Sequence, residues 1–155
     1  MRILLEEAAA GDDPPAGFSL LTTQVEADYV AGPYYVSRRD GRLHMGFRVK
    51  TRHRNPNNVC HGGMIASFAD MLTAILEGEP DFPQLVATIS LTIDYIGATP
   101  IGAWVEATPE VLHTTGRMLF MRAVITADGE PVARSNAIFR IRRCAENDTA
   151  TLTVS

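Results

Sequence analysis

The chain is poor in cysteine and tryptophan: Cys60, Cys144 and Trp104 are the whole complement among 155 residues. Two thiols build no disulfide framework, so both are expected to be reduced. A basic excess is missing as well. Fourteen Lys and Arg face eighteen Asp and Glu, a formal net charge of −4. Nucleic-acid modules ordinarily show the opposite balance, so no nucleic-acid partner is expected, and only a local basic patch for a phosphorylated small ligand stays open. Long apolar runs are also absent. The longest stretch without Asp, Glu, Lys or Arg is 55–69, too short and too polar to span a bilayer. Glu6 and Glu7 cut off Ile3, Leu4 and Leu5 before a signal-peptide core develops. The expectation is a cytoplasmic protein without a membrane partner. What remains is 46% hydrophobic and 21% charged, at a length that suits one domain with a true core.

Breakers organise the chain. Gly11, Asp12, Asp13, Pro14, Pro15 and Gly17 close a lead-in, and residues 18–30 read as a short helix or an irregular arm. The division expected is an arm over 1–30, a domain over 31–143 and a polar, fraying tail over 144–155. Asp40-Gly41 and Asp128-Gly129 separate strand-like segments, and Thr115-Gly116 marks a third reversal. Leu43–Thr51 and Leu85–Ile96 read as strands. In Ala103–Leu112, Ala103, Val105, Ala107 and Val111 alternate with Trp104, Glu106, Thr108 and Glu110, while Pro109 suggests an edge or a bulge. One segment breaks the β pattern. Over 62–77 the apolar residues Met64, Ile65, Phe68, Met71, Leu72, Ile75 and Leu76 recur at helical spacing, with Gly78 and Pro80 as a stop. The order is two strands, one helix, then four strands or strand halves: an α+β domain whose sheet wraps the helix.

That helix has a second face. At 100° per residue, Gly63, Ala66, Ser67, Thr73 and Ala74 lie within roughly 60° of Asp70. A lone Asp amid small residues is either a functional carboxylate or a solvent-facing polar residue. The helix start, Asn55-Pro56-Asn57-Asn58-Val59-Cys60-His61-Gly62-Gly63, has two readings too. Its free N–H groups and small residues suit an oxyanion donor, or they are a Gly-rich start without a ligand. His61 precedes Asp70 by nine positions. On a helix that is about 13 Å of rise and about 180° of rotation. The two cannot form a dyad within one chain, so a site using both lies between subunits. No metal is expected, because His53, Cys60 and His61 match no common zinc spacing. Cys60 beside His61 is not expected to be a nucleophile, since adjacent side chains rarely converge. Lys50, Arg52 and Arg54 form a solvated strand face or serve phosphates, and Arg117 has the same two readings. Trp104 and Tyr95 read as packing residues.

The segment from His61-Gly62-Gly63 to Asp70 resembles the HGG-x6-D signature of hotdog-fold acyl-CoA thioesterases, the phenylacetate-pathway type above all. The likeness covers about residues 34–142. It includes Asn55, Leu91-Thr92-Ile93-Asp94-Tyr95-Ile96 with Pro100 following, the second Asp-Gly hairpin, and Val132-Ala133. The resemblance implies a hotdog fold, a long central helix wrapped by an antiparallel sheet. It implies a dimer as minimum and a tetramer in many relatives, with active sites at the dimer interface. It makes Asp70 the general base or the nucleophile, and the Gly62 N–H the group that polarises the thioester carbonyl. Asn55 and His61 would orient substrate or support the loop, and the Thr88 hydroxyl would help hold the attacking water. Gly63 and Arg117 fall on the substrate side, and Arg52, Arg54 and Arg142 are further candidates for the CoA phosphates. No cofactor is implied. The expected activity is hydrolysis of acyl-CoA; the alternatives are a hotdog dehydratase or hydratase and a non-catalytic acyl-CoA-binding module.

Overall fold

A computed structural model of the chain describes residues 7–22, 27–77, 79, 82, 86–141 and 153–154. Along it come β1 (Ser19–Thr22), α1 (Ala27–Ala31), β2 (Tyr35–Arg39), β3 (Arg42–Arg48), a 3₁₀ turn (Thr51–His53), α2 (Gly62–Met71), β4 (Val86–Tyr95), β5 (Trp104–Ala107), β6 (Glu110–Thr114), β7 (Met118–Ala127), β8 (Glu130–Ile141) and β9 (Thr153–Val154). The Asp-Gly pairs turn as their residue types require. Asp40 and Gly41 have φ of 51° and 73°, and Asp128 and Gly129 have φ of 49° and 89°. Two positive φ values in succession give the turn whose twist matches a tight hairpin. The sheet is antiparallel in the order β4-β8-β7-β5-β3-β2-β1-β9, with β6 paired to β7 farther along. Together with α2 this is an α+β hotdog fold, one helix held against a long antiparallel sheet; it is not the simple meander expected, because β4 crosses to the edge beside β8 and β3 pairs with β5. No helix among the described residues is long and apolar enough to cross a membrane.

The sheet sorts side chains by alternation. Val105 and Ala107 enter the main core with Met45, Phe47, Leu119, Met121, Ile125 and Phe139, and α2 adds Ile65, Phe68 and Ala69 from above. Trp104 takes the opposite face, where it packs on Phe18 and Tyr35. The ring centroids there lie 5.0 and 5.6 Å apart. Gly46 makes room for that indole, since a Cβ in its place would stand 2.5 Å from Trp104 Cζ2.

Four elements differ from expectation. Regular α-helix ends at Met71 rather than near Glu77. Thr73 Oγ1 donates to the Asp70 carbonyl at 3.3 Å, where Ala74 N–H would bond in a helix; Ala74 N–H turns to Met71 O instead. The next bonds tighten in the same i→i+3 manner. Ala103–Leu112 divides into β5 and β6 at Thr108-Pro109, because proline has no N–H for the ladder. Residues 18–30 contain both a short strand and a short helix. Within the tail, Thr153–Val154 pairs with Leu21 and Thr22.

The basic run is also not a solvated face. Lys50 Nζ lies 2.6 Å from Asp12 Oδ1, and Asp12 is 1% exposed. Arg52 donates to the Gly32 carbonyl. Arg48 reaches the Asp12 and Asp13 carbonyls at 2.9 and 2.7 Å. These contacts, with Phe18, strap residues 12–18 onto the outer face of the sheet, away from α2. Arg52, despite that bond, and Arg54 both stay exposed.

Candidate active site

The loop before α2 is built by Asn55. Its Oδ1 accepts from Asn57 N and Val59 N at 2.9 and 3.2 Å, and its own N–H donates to Val59 O. Asn58 takes the left-handed conformation, φ 61°, which asparagine tolerates better than most residues. Cys60 N–H then bonds Thr99 O, and His61 N–H bonds His53 O at 2.7 Å. Of the two roles expected for Asn55, loop support is the one its carbonyl oxygen performs within this chain.

His61 is the N-cap of α2, and its Nδ1 accepts from Gly63 N–H at 2.9 Å. The cap satisfies one of the N–H groups that the first helical turn leaves open. Gly63 N–H is thereby occupied. Gly62 N–H has no acceptor among the described residues, while the Gly62 carbonyl accepts from the Tyr95 hydroxyl at 2.7 Å. The helix therefore presents one uncommitted donor at its positive end.

The other end of α2 carries the acid. Asp70 Oδ1 accepts from Thr88 Oγ1 at 2.7 Å. Thr88 stands on β4 immediately before a bulge, where the pairing with β8 shifts register between Thr88 and Ser90. An extra residue at such a point re-aims the neighbouring side chains. β4 thus touches both ends of the helix, with Tyr95 at Gly62 and Thr88 at Asp70. His61 and Asp70 remain at opposite ends of α2, about 13 Å apart along its axis. The structure brings Asp70 to Thr88, and His61 to Gly62 and Gly63, but does not bring the two groups together in one chain. Arg117 is exposed at the β6–β7 turn, where its carbonyl accepts from Ile141 N–H. Arg142 lies outside the described residues.

Buried groups around the site are held neutral. Burial pushes the Cys60 thiol up to about 11, which leaves it an inert packing group. Burial, then the nearby Asp28, Cys60 and Asp70, raises Tyr34. His53 is 1% exposed, and its Nδ1 accepts from Lys50 N–H at 3.1 Å. Burial and then Arg52 lower its pKa from 6.5 to about 4. The unfolded chain protonates below the ordinary value and the folded chain does not, so this contribution to stability is complete above pH 6.5 and lost as pH falls towards 4. The loss is expected to reach about 3 kcal/mol. Urea unfolding from pH 7 down to 4.5 measures it as the gap between wild type and His53→Gln.

Sequence reasoning missed Tyr95. It read as a packing residue, yet it is 55% exposed, with its hydroxyl on the helix start. No local signal ties residues 62 and 95; only the β4 register does.

The comparisons with known proteins agree with this architecture. A family model described as the thioesterase superfamily matches residues 57–133. A Pseudomonas aeruginosa protein provisionally named an esterase is 27% identical over 130 residues, 82% of this chain and 96% of its own. The PaaI protein of the Escherichia coli phenylacetic acid degradation operon superposes with TM-score 0.65 at 22% identity, covering 76% of this chain and 86% of that one. A Streptococcus pneumoniae protein described as a hypothetical thioesterase, solved with coenzyme A, superposes with TM-score 0.63 at 19% identity, over 70% and 85% of the two chains.

Proposed function

The chain belongs to the thioesterase superfamily, and on that premise we propose that it hydrolyses acyl-CoA thioesters to the free acid and CoA. The observation that carries the reading is the Asp70–Thr88 hydrogen bond of 2.7 Å on the helix that offers the free Gly62 N–H. The coenzyme A held by the pneumococcal protein supports CoA as the thiol.

The site is shared between two copies of the chain. A thioester carbonyl and its attacking oxygen span only about 3 Å, far less than the length of α2. One subunit therefore supplies the Gly62 N–H and the other the Asp70 carboxylate. β4 suits this pairing: β8 is its neighbour on one side, and its exposed residues include Ile89 and Tyr95, with exposed Ile96 next after it. A dimer is the minimum assembly and a tetramer is compatible with it.

The chemistry follows from the donor and the acid. Gly62 N–H stabilises negative charge as it develops on the carbonyl oxygen. With Asp70 as general base, Oδ2 takes a proton from water while Oδ1 stays fixed by Thr88. The water oxygen bonds to the acyl carbon, the C–S bond breaks, and CoA leaves as thiolate and takes up the proton. With Asp70 as nucleophile, Oδ2 itself bonds to the acyl carbon, the C–S bond breaks and CoA leaves as thiolate; water then opens the mixed anhydride, releasing the acid, restoring the carboxylate and supplying the proton that the thiolate takes up. Thiolate is a good leaving group, so neither route calls on a metal or a redox cofactor. Arg54 and Arg117 are the rim candidates for the CoA phosphates. The division of labour is an arm over 1–30, a thioesterase domain over 31–143 and a tail over 144–155, in a cytoplasmic enzyme.

Thiol release measured across aromatic, short aliphatic and long aliphatic acyl-CoAs tests the reading. Turnover of any of them supports it; tight acyl-CoA binding without turnover replaces it with a binding module. Thr88→Val keeps the β-branched shape without the hydroxyl, and is expected to lower kcat about ten-fold, the cost of a loosely held carboxylate. An unchanged kcat would remove Thr88 from the machinery.

A further inference from the structure

We propose that Tyr95 is a positioning residue, which locks the Gly62–Gly63 peptide and through it aims the Gly62 N–H at the thioester. The catalytic half of this proposal rests on the thioesterase reading above; the conformational half does not.

Two adjacent glycines make a soft start for a helix, because neither restricts its own φ and ψ. An oxyanion donor must instead be held still, since its value lies in needing no reorganisation during the reaction. The structure supplies the missing stiffness from outside the glycines. The His61 carbonyl is held by Met64 N–H at 2.9 Å and Ile65 N–H at 3.5 Å. The next peptide, Gly62–Gly63, is held from both of its polar ends. Its N–H donates to His61 Nδ1 at 2.9 Å, and its C=O accepts from Tyr95 Oη at 2.7 Å. A peptide gripped at both ends cannot turn about its Cα–Cα axis, so the backbone on either side of Gly62 Cα is fixed.

The phenol also occupies the place of a side chain. A Cβ on Gly62 would lie 3.1 Å from both Tyr95 Cζ and Oη. The ring therefore lies against the Gly62 Cα while its hydroxyl holds the carbonyl beyond it. Tyr95 is itself anchored by the sheet: it pairs with Ala133 on β8, and Ile96 N–H bonds Val132 O at 2.8 Å. At 55% exposure it buries too little surface to be a core-packing residue. Thr88 sits on the same strand, against Asp70. One strand thus sets the acid at one end of α2 and the donor at the other.

Tyr95→Phe tests the proposal, because it keeps the ring over Gly62 and removes only the hydroxyl. In the substrate-free protein, hydrogen exchange at the Gly63 amide is expected to rise about ten-fold, with the other amides of α2 and β4 unchanged. With an acyl-CoA that the wild type turns over, kcat is expected to fall about ten-fold with KM within two-fold. Unchanged exchange at Gly63, a rise spread over the whole of β4, an unchanged kcat, or a loss confined to KM would each overturn it. A wild type that releases no thiol from any acyl-CoA would sink the hydrolase reading and the aiming role with it, and the exchange at Gly63 would still decide whether Tyr95 locks the peptide.

Discussion

Asp70→Asn is expected to cut thiol release from acyl-CoA by at least about 100-fold, a loss of about 2.7 kcal/mol of transition-state stabilisation. The substitution is nearly isosteric. The amide oxygen of asparagine can still accept from Thr88 Oγ1, so the 2.7 Å contact that positions the side chain survives. What disappears is the ability to take a proton or to attack a carbonyl. Both candidate roles of Asp70 need a carboxylate, so both predict the same collapse of kcat. Folding and assembly should persist, because Asp70 is only half-buried and faces small neighbours such as Ala66 and Ser67 on α2. The measurement is kcat for wild type and variant on the best acyl-CoA of the panel, with melting temperature and oligomeric state recorded beside it. Full activity in the variant would leave the carboxylate without a role. A loss of activity accompanied by dissociation would point to the assembly rather than the chemistry.

What could be read from the chain in advance was what short stretches decide. The Asp-Gly turns are two-residue problems, and both adopt the two positive φ values expected. The helix start, its histidine and the acid nine residues on lie within a single element, so helical geometry alone places them. Thr88 lies 18 residues beyond Asp70 on another element, so only the family resemblance pointed to it, and it does meet Asp70. The parts that were illegible are contacts between distant segments. Nothing near Tyr95 signals that its hydroxyl meets a carbonyl 33 residues earlier. Lys50 and Arg52 looked like free charge because their partners, Asp12 and Gly32, sit in the arm and before β2. The helix ended early through one local competition, Thr73 against the backbone for the Asp70 carbonyl. Hydrophobic periodicity continues through Ile75 and is blind to that exchange of hydrogen bonds.

Asp12→Ala is expected to destabilise the fold by about 3 kcal/mol while leaving kcat alone. Asp12 is 1% exposed and serves two partners: Tyr35 Oη donates to Oδ2 at 2.8 Å, and Lys50 Nζ lies 2.6 Å from Oδ1. Truncation removes the acceptor of a buried phenol and the counter-charge of a mostly buried ammonium together. Lys50 keeps its bonds to the Ala8 and Ala10 carbonyls, so its desolvation is only partly relieved. At this chain length the loss corresponds to a melting temperature lower by roughly 10 °C. Asp12→Asn retains an acceptor for Tyr35 and loses the ion pair, and should fall between the two. The effect on activity separates two placements of the arm. Phe18 packs on Trp104 and Tyr35, on the sheet face turned away from α2. An arm seated there can be loosened without touching Gly62 or Asp70, so kcat and KM should match the wild type at temperatures where both are folded. Faster proteolytic cleavage within residues 7–18 would report the loosening. A change in KM under those conditions would instead mean that the arm reaches over the acyl pocket, against the outer-face packing of Phe18.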